Sequence, residues 1–129
     1  MVLLLDTCTL IWLTSDQQSL SSRARACIQE HAGALHASSM SAFEIGIKHR
    51  KGTLRLALEP GAWFTAAMDL HGIREIPVDA GIAARSTALP DLHSDPIDRI
   101  LIATAEEHGL TVVTPDRLIA QYGLVDVLW

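Results

Sequence analysis

Acidic residues at the ends of predicted strands and helices carry most of the chemical information in this 129-residue chain. Asp6 directly follows the apolar run Val2–Leu5, and such a run is typical of a strand that is buried on both faces. Asp116 follows a second apolar run, Leu110–Thr114. Because ligands bind at the carboxyl ends of strands in parallel α/β sheets, we expect both carboxylates at the edge of one crevice.

Two further acids are predicted close to helix starts. Glu44 lies in the first turn of a helix predicted from Ser41 to Lys51, and Asp98 in the first turn of one predicted from Pro96 to His108. Two like charges about 4 Å apart repel by roughly 4 kcal/mol at an effective dielectric constant near 20, so four carboxylates in one crevice need protons or a cation. Hard oxygen ligands favour Mg²⁺ or Mn²⁺, and these ions serve phosphoryl and phosphodiester transfer.

Each acid also has a structural alternative. The segment from Ser41 to Glu44 fits a capping box, in which the Glu44 side chain bonds back to the helix start. Capping a helix or complementing its dipole is the alternative for three other acids: Asp95, Asp98 and Asp116. Asp6 has no evident structural task at the end of an apolar strand, so its loss is expected to be the most informative.

The overall composition limits the class of protein. Hydrophobic residues make up 49% of the chain and charged residues 19%, which excludes a disordered protein. The net charge of −5 argues against broad, nonspecific coating of nucleic acid. The apolar runs are too short to cross a bilayer and the first residues lack the features of a signal peptide, so we expect a soluble, cytoplasmic protein with no membrane partner. Cys8 and Cys27 are interpreted as reduced thiols.

Strand and helix patterns alternate along the chain. Strand patterns are found near residues 2–5, 34–38, 73–78, 110–114 and 124–128, with helix patterns between them. This alternation predicts a single domain over residues 1–129, built as a three-layer α/β/α sandwich around a mainly parallel sheet of about five strands. Three predicted helices end at a histidine followed closely by glycine, and helix capping is a sufficient explanation for His31, His71 and His108.

Short motifs spread over nearly the full length form one ordered set. They are Leu4-Leu5-Asp6-Thr7 with Trp12, Ser41-x-x-Glu44-Ile45-x-Ile47-Lys48 with Gly52-x-Leu54, Leu89-Pro90-x-x-His93-x-Asp95-Pro96-x-Asp98-Arg99, Ile102-Ala103-x-Ala105, and Val113-Thr114-x-Asp116. In this order and spacing, the set resembles the PIN-domain ribonucleases, and within them the VapC-like toxins of bacterial toxin–antitoxin pairs.

The resemblance implies a set of site residues. The acidic quartet of the family, which would bind the metal and carry catalysis, falls on Asp6, Glu44, Asp98 and Asp116. Further residues match positions that would assist this quartet: Asp95 as an auxiliary acid, and Thr7 and Thr114 as hydroxyls that would orient a carboxylate or a metal-bound water. Cys8 departs from the histidine that is often found in this branch of the family, so a direct role for that position is doubtful.

The resemblance also implies an activity and partners. The expected activity is Mg²⁺- or Mn²⁺-dependent endoribonuclease cleavage by metal-activated water, which leaves a 5′-phosphate and a 3′-hydroxyl. The expected partners are a small antitoxin protein and a second copy of the chain, with unpaired RNA as the substrate. Basic residues that would guide the RNA are Lys48, Arg50, Lys51 and Arg99.

Two other functions compete with this interpretation. A haloacid-dehalogenase-like phosphatase also ends its first strand in an aspartate, but it needs a second aspartate two residues later, where this chain has Cys8. A binding module that keeps the fold without activity is the other alternative, and the complete set of acids argues against it.

Overall fold

The computed structural model describes residues 1–129, and its centre is one five-stranded sheet. The strands are β1 (Leu3–Leu5), β2 (Leu35–Ser38), β3 (Arg74–Ile76), β4 (Thr111–Val113) and β5 (Val127–Leu128). Their order across the sheet is β3-β2-β1-β4-β5, and every neighbouring pair is parallel. The predicted parallel α/β sheet is therefore confirmed, and its parallel character is complete.

Seven α-helices connect and cover the strands. They are α1 (Thr7–Ser15), α2 (Ser22–Glu30), α3 (Ser39–Arg50), α4 (Pro60–His71), α5 (Ala80–Thr87), α6 (Pro96–His108) and α7 (Arg117–Gln121). A short 3-10 helix, which the sequence pattern did not predict, covers Gln17–Ser19. None of the helices is both long and apolar enough to pass through a membrane.

Apolar side chains of β1 alternate between two separate cores, which is the physical basis of the three layers. Leu3 and Leu5 are fully buried in a cluster that includes Ile45 of α3. Leu4, between them, is fully buried in a second cluster with Leu101 of α6. Because successive side chains of a strand point to opposite faces, this continuous apolar run requires helices on both sides of the sheet.

The register of the central strands brings three chain segments to one edge of the sheet. Leu5 of β1 pairs with Ala37 of β2 and with Val113 of β4, so β1 and β4 end at the same level and β2 ends one residue later. Asp6 follows β1 and Thr114 follows the neighbouring strand β4, so both residues lie at this edge. The Thr9 hydroxyl connects α1 to the same edge by donating to the Val113 carbonyl at 2.9 Å.

Helix α3 begins two residues earlier than predicted, which corrects the capping-box interpretation. Ser38 is its N-cap, and the Ser38 side chain accepts from the Met40 N–H at 3.0 Å. Ser41 is instead fully buried and accepts a hydrogen bond from the Thr7 hydroxyl at 2.9 Å. Glu44 therefore lies beyond the first turn, where its side chain cannot bond back to the helix start, because Ser38 at the end of β2 already provides the cap.

The predicted histidine–glycine helix ends are confirmed. His31 is the C-cap of α2, and α4 and α6 end at His71 and His108. The C-cap glycines of the latter two helices, Gly72 and Gly109, have φ angles of 63° and 65°, a left-handed conformation that residues with a side chain rarely adopt.

Candidate metal centre

An open pocket of about 230 Å³ lies at the carboxyl edge of the sheet. Its lining consists of Asp6, Thr7, Cys8, Glu44, Lys48, Asp98, Pro115 and Asp116. The four predicted acids reach it from four separate elements, because Asp6 follows β1, Glu44 lies on α3, Asp98 on α6, and Asp116 precedes α7. The sheet register, the start of α6 and the second turn of α3 therefore bring the four acids to one pocket.

Asp6 is held on both of its carboxylate oxygens. Oδ1 accepts from the Thr9 N–H at 2.9 Å, which makes Asp6 the N-cap of α1, and Oδ2 accepts from the Thr114 hydroxyl at 2.5 Å. The expectation that Asp6 has no structural task is therefore wrong, because the chain turns directly from β1 into a helix that needs a cap. Asp6 is only 6% exposed, and this burial raises its pKa despite the hydrogen bonds from Thr114 and Thr9.

The side chains of Asp116 and Asp98 both contact the ring of His93. Asp116 Oδ1 caps α7 by accepting from the Leu118 N–H at 2.9 Å, while Asp116 Oδ2 lies 2.7 Å from His93 Nε2. The same His93 nitrogen lies 3.1 Å from Asp98 Oδ2. One ligand-type atom from each of these three side chains lies within 4.8 Å of the others, so the group could hold a metal ion.

Sequence reasoning did not single out His93 as a functional residue. The residue was visible only as one position of the motif that ends in Asp98 and Arg99. A histidine two residues before a helix cap was the available signal, but nothing in the sequence indicates that its ring turns toward Asp116, which is 23 positions away.

Asp98 has the most altered acidity in the pocket. Burial, followed by the negative charge of Asp95, raises the pKa of Asp98 to about 7, and the nearby His93 opposes this shift. Its carboxyl group therefore carries a proton for part of the time at neutral pH when no cation is bound. A divalent cation would relieve the same electrostatic penalty that the proton relieves.

The auxiliary residues divide between capping and orientation. Asp95 is the N-cap of α6, as predicted, and its Oδ1 accepts from the Ile97 N–H at 2.9 Å. The Thr114 hydroxyl donates to Asp6 and accepts from the Asp116 N–H at 3.0 Å, so it connects two of the acids. The Thr7 hydroxyl points instead to Ser41 of α3 and contributes to packing between helices.

The basic residues predicted to guide RNA lie in different surroundings. Lys48 lines the pocket, with Nζ at 3.6 Å from Glu44 Oε2, and Arg50 and Lys51 are exposed at the end of α3. Arg99 is turned inward, with a side chain only 13% exposed, and donates to the carbonyls of Leu89 and Pro90 at 2.7 and 2.9 Å. Most of its donor groups are therefore directed at the loop that precedes α6 rather than at the pocket.

Cys8 lines the pocket as a neutral thiol. Burial, followed by the charge of Asp6, raises the pKa of Cys8 to about 12. A protonated thiol is a poor partner for a hard cation, so the oxygen atoms of the carboxylates are the fitting ligands here.

The sequence of this chain is similar to those of known proteins. The family model described as PIN domain matches residues 3–124. The chain belongs to the PIN-domain family. This PIN domain is also 35% identical to ribonuclease VapC22 of Mycobacterium tuberculosis over 115 residues, which are 88% of this chain and 86% of that protein.

Two solved structures share the fold of this PIN domain. A chain of the DNA-bound VapBC complex from Salmonella typhimurium has a TM-score of 0.72 at 18% identity, with 99% of this chain and 97% of that chain covered. A chain of a toxin–antitoxin complex from Klebsiella pneumoniae has a TM-score of 0.66 at 24% identity, with 98% and 95% covered. These structures establish the likeness of the fold over the whole chain.

Proposed function

We propose that this protein is a metal-dependent endoribonuclease and the toxin of a VapBC-type toxin–antitoxin pair. The observation that carries the proposal is the convergence of four carboxylates from four elements on one open pocket. Membership of the PIN-domain family and the 35% identity to a protein named ribonuclease VapC22 support the same activity.

The chemistry of the side chains fits a hard divalent cation, Mg²⁺ or Mn²⁺. We propose that Asp6, Asp98 and Asp116 hold it, together with Glu44, since all four offer carboxylate oxygens to the same pocket. Bound there, the ion would supply a water nucleophile at neutral pH and stabilise the charge that develops on the leaving oxygen. Two of these carboxylates, Asp6 and Asp98, have raised pKa values caused chiefly by burial, as expected where a positive charge is needed to complete a site.

The protein's own groups would prepare these acids for the reaction. The Thr114 hydroxyl orients Asp6, and the Thr9 N–H fixes the second oxygen of the same carboxylate. Lys48 supplies a positive charge at the side of the pocket, where it could bind a backbone phosphate of RNA. Arg50 and Lys51 extend this charge beyond the pocket, whereas Arg99 is occupied by the loop.

The proposed reaction is hydrolysis of a phosphodiester bond. Water attacks phosphorus, a new oxygen–phosphorus bond forms, and the bond to the 3′ oxygen breaks. The departing oxygen takes up a proton, so the products carry a 5′-phosphate and a 3′-hydroxyl. An unpaired RNA segment is the proposed substrate, since bases must be accessible for a protein to select a sequence. We propose that this activity takes place in the cytoplasm, where RNA is accessible.

The proposed protein partners are a small antitoxin and a second copy of this chain. The solved structures with the same fold are a VapBC complex and a toxin–antitoxin complex, which supports the antitoxin. Large hydrophobic side chains remain exposed on the surface, among them Phe43 at 54% and Leu70 at 72%, and partner binding would cover such area.

The test is RNA cleavage by purified protein that has been freed of any antitoxin. We expect cleavage of a structured RNA with Mn²⁺ or Mg²⁺, no cleavage after chelation of the metal, and fragments that carry a 5′-phosphate. Asp6→Asn is the matched variant, because asparagine retains an oxygen that can cap α1 but has no negative charge. Cleavage that persists in the chelator, or that survives Asp6→Asn unchanged, would contradict the proposed metal-dependent mechanism. Absence of cleavage with either metal would contradict the proposed activity and favour a binding module without activity.

A further inference from the structure

The His93 ring lies between two of the proposed metal ligands and has no assigned role. Its Nε2 atom is at hydrogen-bond distance, 2.7 Å, from Asp116 Oδ2, and is 3.1 Å from Asp98 Oδ2. The side chain is 11% exposed, so the ring is packed into this position rather than extended into solvent. Two functions are open to such a nitrogen: it could coordinate a metal ion itself, or it could donate a hydrogen bond to the carboxylates that do.

A backbone hydrogen bond decides between these functions. The Asp95 N–H donates to His93 Nδ1 at 3.1 Å, and a nitrogen that accepts this bond carries a lone pair and no proton. In the neutral ring the proton is then on Nε2, the atom that faces Asp116 and Asp98. His93 Nε2 is therefore a donor in this arrangement, and its proton occupies the direction that a metal ion would need.

The position of the ring is fixed by the rest of the loop. The His93 N–H donates to the Tyr122 hydroxyl at 2.8 Å, and Arg99 Nη1 lies 3.3 Å from the same hydroxyl. Arg99 also donates to the carbonyls of Leu89 and Pro90, at the start of this loop. Helices α6 and α7 thus hold the loop at several points, and the ring is aimed at the acids before any ligand arrives.

We propose that His93 is a positioning residue of the metal centre, which holds Asp116 beside Asp98 through its Nε2–H group and contributes no ligand atom. The inference rests on the proposed function, since it assumes that these two acids bind the cation. Without the ring, Asp116 would keep its bond to the Leu118 N–H but lose the only hydrogen bond from a side chain to its second oxygen. Hydrogen-bond partners of metal ligands typically contribute a factor of about 10–100 to metal affinity or activity.

The experiment measures Mn²⁺ binding to the metal-free protein by calorimetry in the absence of RNA, with RNA cleavage recorded in parallel. His93→Ala is expected to weaken Mn²⁺ binding about 10–100-fold. His93→Gln offers an amide N–H at a similar reach and is expected to restore most of this loss. Alanine has no polar side-chain atom, so the affinity that His93→Gln recovers over His93→Ala measures the contribution of a hydrogen-bonding side chain at this position.

A matched histidine serves as the control. His108 is exposed at the opposite end of α6, and His108→Gln should leave Mn²⁺ binding and cleavage unchanged. Thermal unfolding of each variant without metal separates folding from positioning. A lower melting temperature with unchanged Mn²⁺ affinity in His93→Ala would reduce His93 to a structural residue and overturn the proposal, as would equal losses in the alanine and glutamine variants.

A spectroscopic measurement separates positioning from coordination. Electron spin echo modulation of the Mn²⁺-loaded wild-type protein is expected to lack the strong coupling of a directly bound imidazole nitrogen. Detection of that coupling, and its loss in His93→Gln, would make His93 a ligand and overturn the proposal. If the wild-type protein binds no Mn²⁺ and cleaves no RNA, the proposed function fails together with this inference. If the wild-type protein binds Mn²⁺ and cleaves RNA, and the His93 variants do so equally well, the inference fails alone.

Discussion

The two sides of the pocket are held in place by different means. The strand side, formed by Asp6, Thr9 and Thr114, follows directly from β1 and β4, and all three residues are at most 6% exposed. The loop side, formed by His93, Asp98 and Asp116, has side chains that are 11%, 19% and 31% exposed. Strand pairing therefore sets the position of Asp6, whereas side-chain hydrogen bonds set the spacing of Asp98 and Asp116.

This difference indicates on which side of the pocket a substitution should weaken metal binding. Parallel pairing of Leu5 with Val113 is repeated along a buried sheet, so one lost hydrogen bond on the strand side leaves the neighbouring bonds in place. The loop side depends on a few bonds that no regular structure repeats. We therefore expect that substitutions outside the acids affect metal binding mainly when they fall on the loop side.

The largest effect is expected at Asp6 itself. Asp6→Asn should lower RNA cleavage by more than about 100-fold. Loss of a hydrogen-bond partner of a metal ligand typically lowers activity about 10–100-fold, and loss of a ligand itself should lower it further. The metal-free variant should be at least as stable as the wild type, because burial raises the pKa of Asp6 and asparagine removes the buried charge. Cleavage assays and thermal unfolding of the same preparations test both statements.

Asp6→Ala supplies the control for the capping role. Alanine cannot accept from the Thr9 N–H, so this variant should be less stable than Asp6→Asn by about 1 kcal/mol while equally inactive. Equal stability of the two variants would mean that the cap of α1 contributes little, and that Asp6 is held by the sheet alone.

The strand side was largely predictable from the sequence. The run from Val2 to Leu5 has the composition of a buried strand, and the acid after it lies where parallel sheets bind ligands. The capping function of Asp6 was missed, because α1 begins at Thr7, directly after the strand, with no turn between the two elements. Helix α3 was likewise placed too late, because Ser38 at the strand end and Ser41 are equally good caps by composition.

The side-chain contacts of the loop side could not be predicted from the sequence. The positions of Asp98 and Asp116 followed from a helix start and a strand end, but the contact between them depends on the orientation of the His93 ring. Arg99 shows the same limit, because a basic residue beside an acidic site suggests contact with RNA, whereas its side chain turns to the Leu89 and Pro90 carbonyls. Loop conformation determines both orientations, and residue type and spacing do not encode it.

The next largest effect is expected for Glu44→Gln, which should lower RNA cleavage without lowering the stability of the fold. The Glu44 side chain lies beyond the capped first turn of α3, so Glu44→Gln should leave the helix cap intact. Its only ion pair is with Lys48 at 3.6 Å, in a partly exposed setting where such pairs contribute about 0.3–0.5 kcal/mol. We expect cleavage to fall by at least about tenfold with a melting temperature close to that of the wild type. A large loss of stability would restore a structural role for Glu44.

The pH dependence of metal binding tests the electrostatics of the loop side. The pKa of Asp98 is raised to about 7, so in the metal-free protein its contribution to stability is present below the unfolded value of 3.8 and is lost as the pH rises through about 7. A cation must displace this proton, so Mn²⁺ affinity should fall about tenfold for each pH unit below 7.

Thermal unfolding with and without Mn²⁺ between pH 5.5 and pH 8 measures this linkage. The stabilisation by Mn²⁺ should be about 2.7 kcal/mol where the metal is at 100 times its Kd, and it should shrink toward pH 5.5. Asp98→Asn should remove most of the pH dependence in this range. A pH-independent stabilisation by Mn²⁺ would show that Asp98 releases no proton when the cation binds.

Tyr122→Phe should have a smaller effect on metal binding than the changes above, and together with a matched change on the strand side it tests the comparison between the two sides most directly. The Tyr122 side chain is 8% exposed, and its hydroxyl accepts from the His93 N–H at 2.8 Å. Its removal leaves the partly buried His93 N–H without this partner, which should cost about 1 kcal/mol of folding free energy. Because the His93 ring loses one of its restraints, Mn²⁺ affinity should also fall, by less than the 10–100-fold expected for His93→Ala.

The matched change on the strand side is Thr9→Val, which also deletes one buried hydroxyl. The Val113 carbonyl that accepts from the Thr9 hydroxyl at 2.9 Å also accepts from the Asp6 N–H at 3.2 Å, so it keeps a partner. Calorimetry should therefore find Mn²⁺ affinity unchanged in Thr9→Val and reduced in Tyr122→Phe. The reverse result would mean that the regular sheet, and not the loop, is the part of the scaffold on which the spacing of the metal ligands depends.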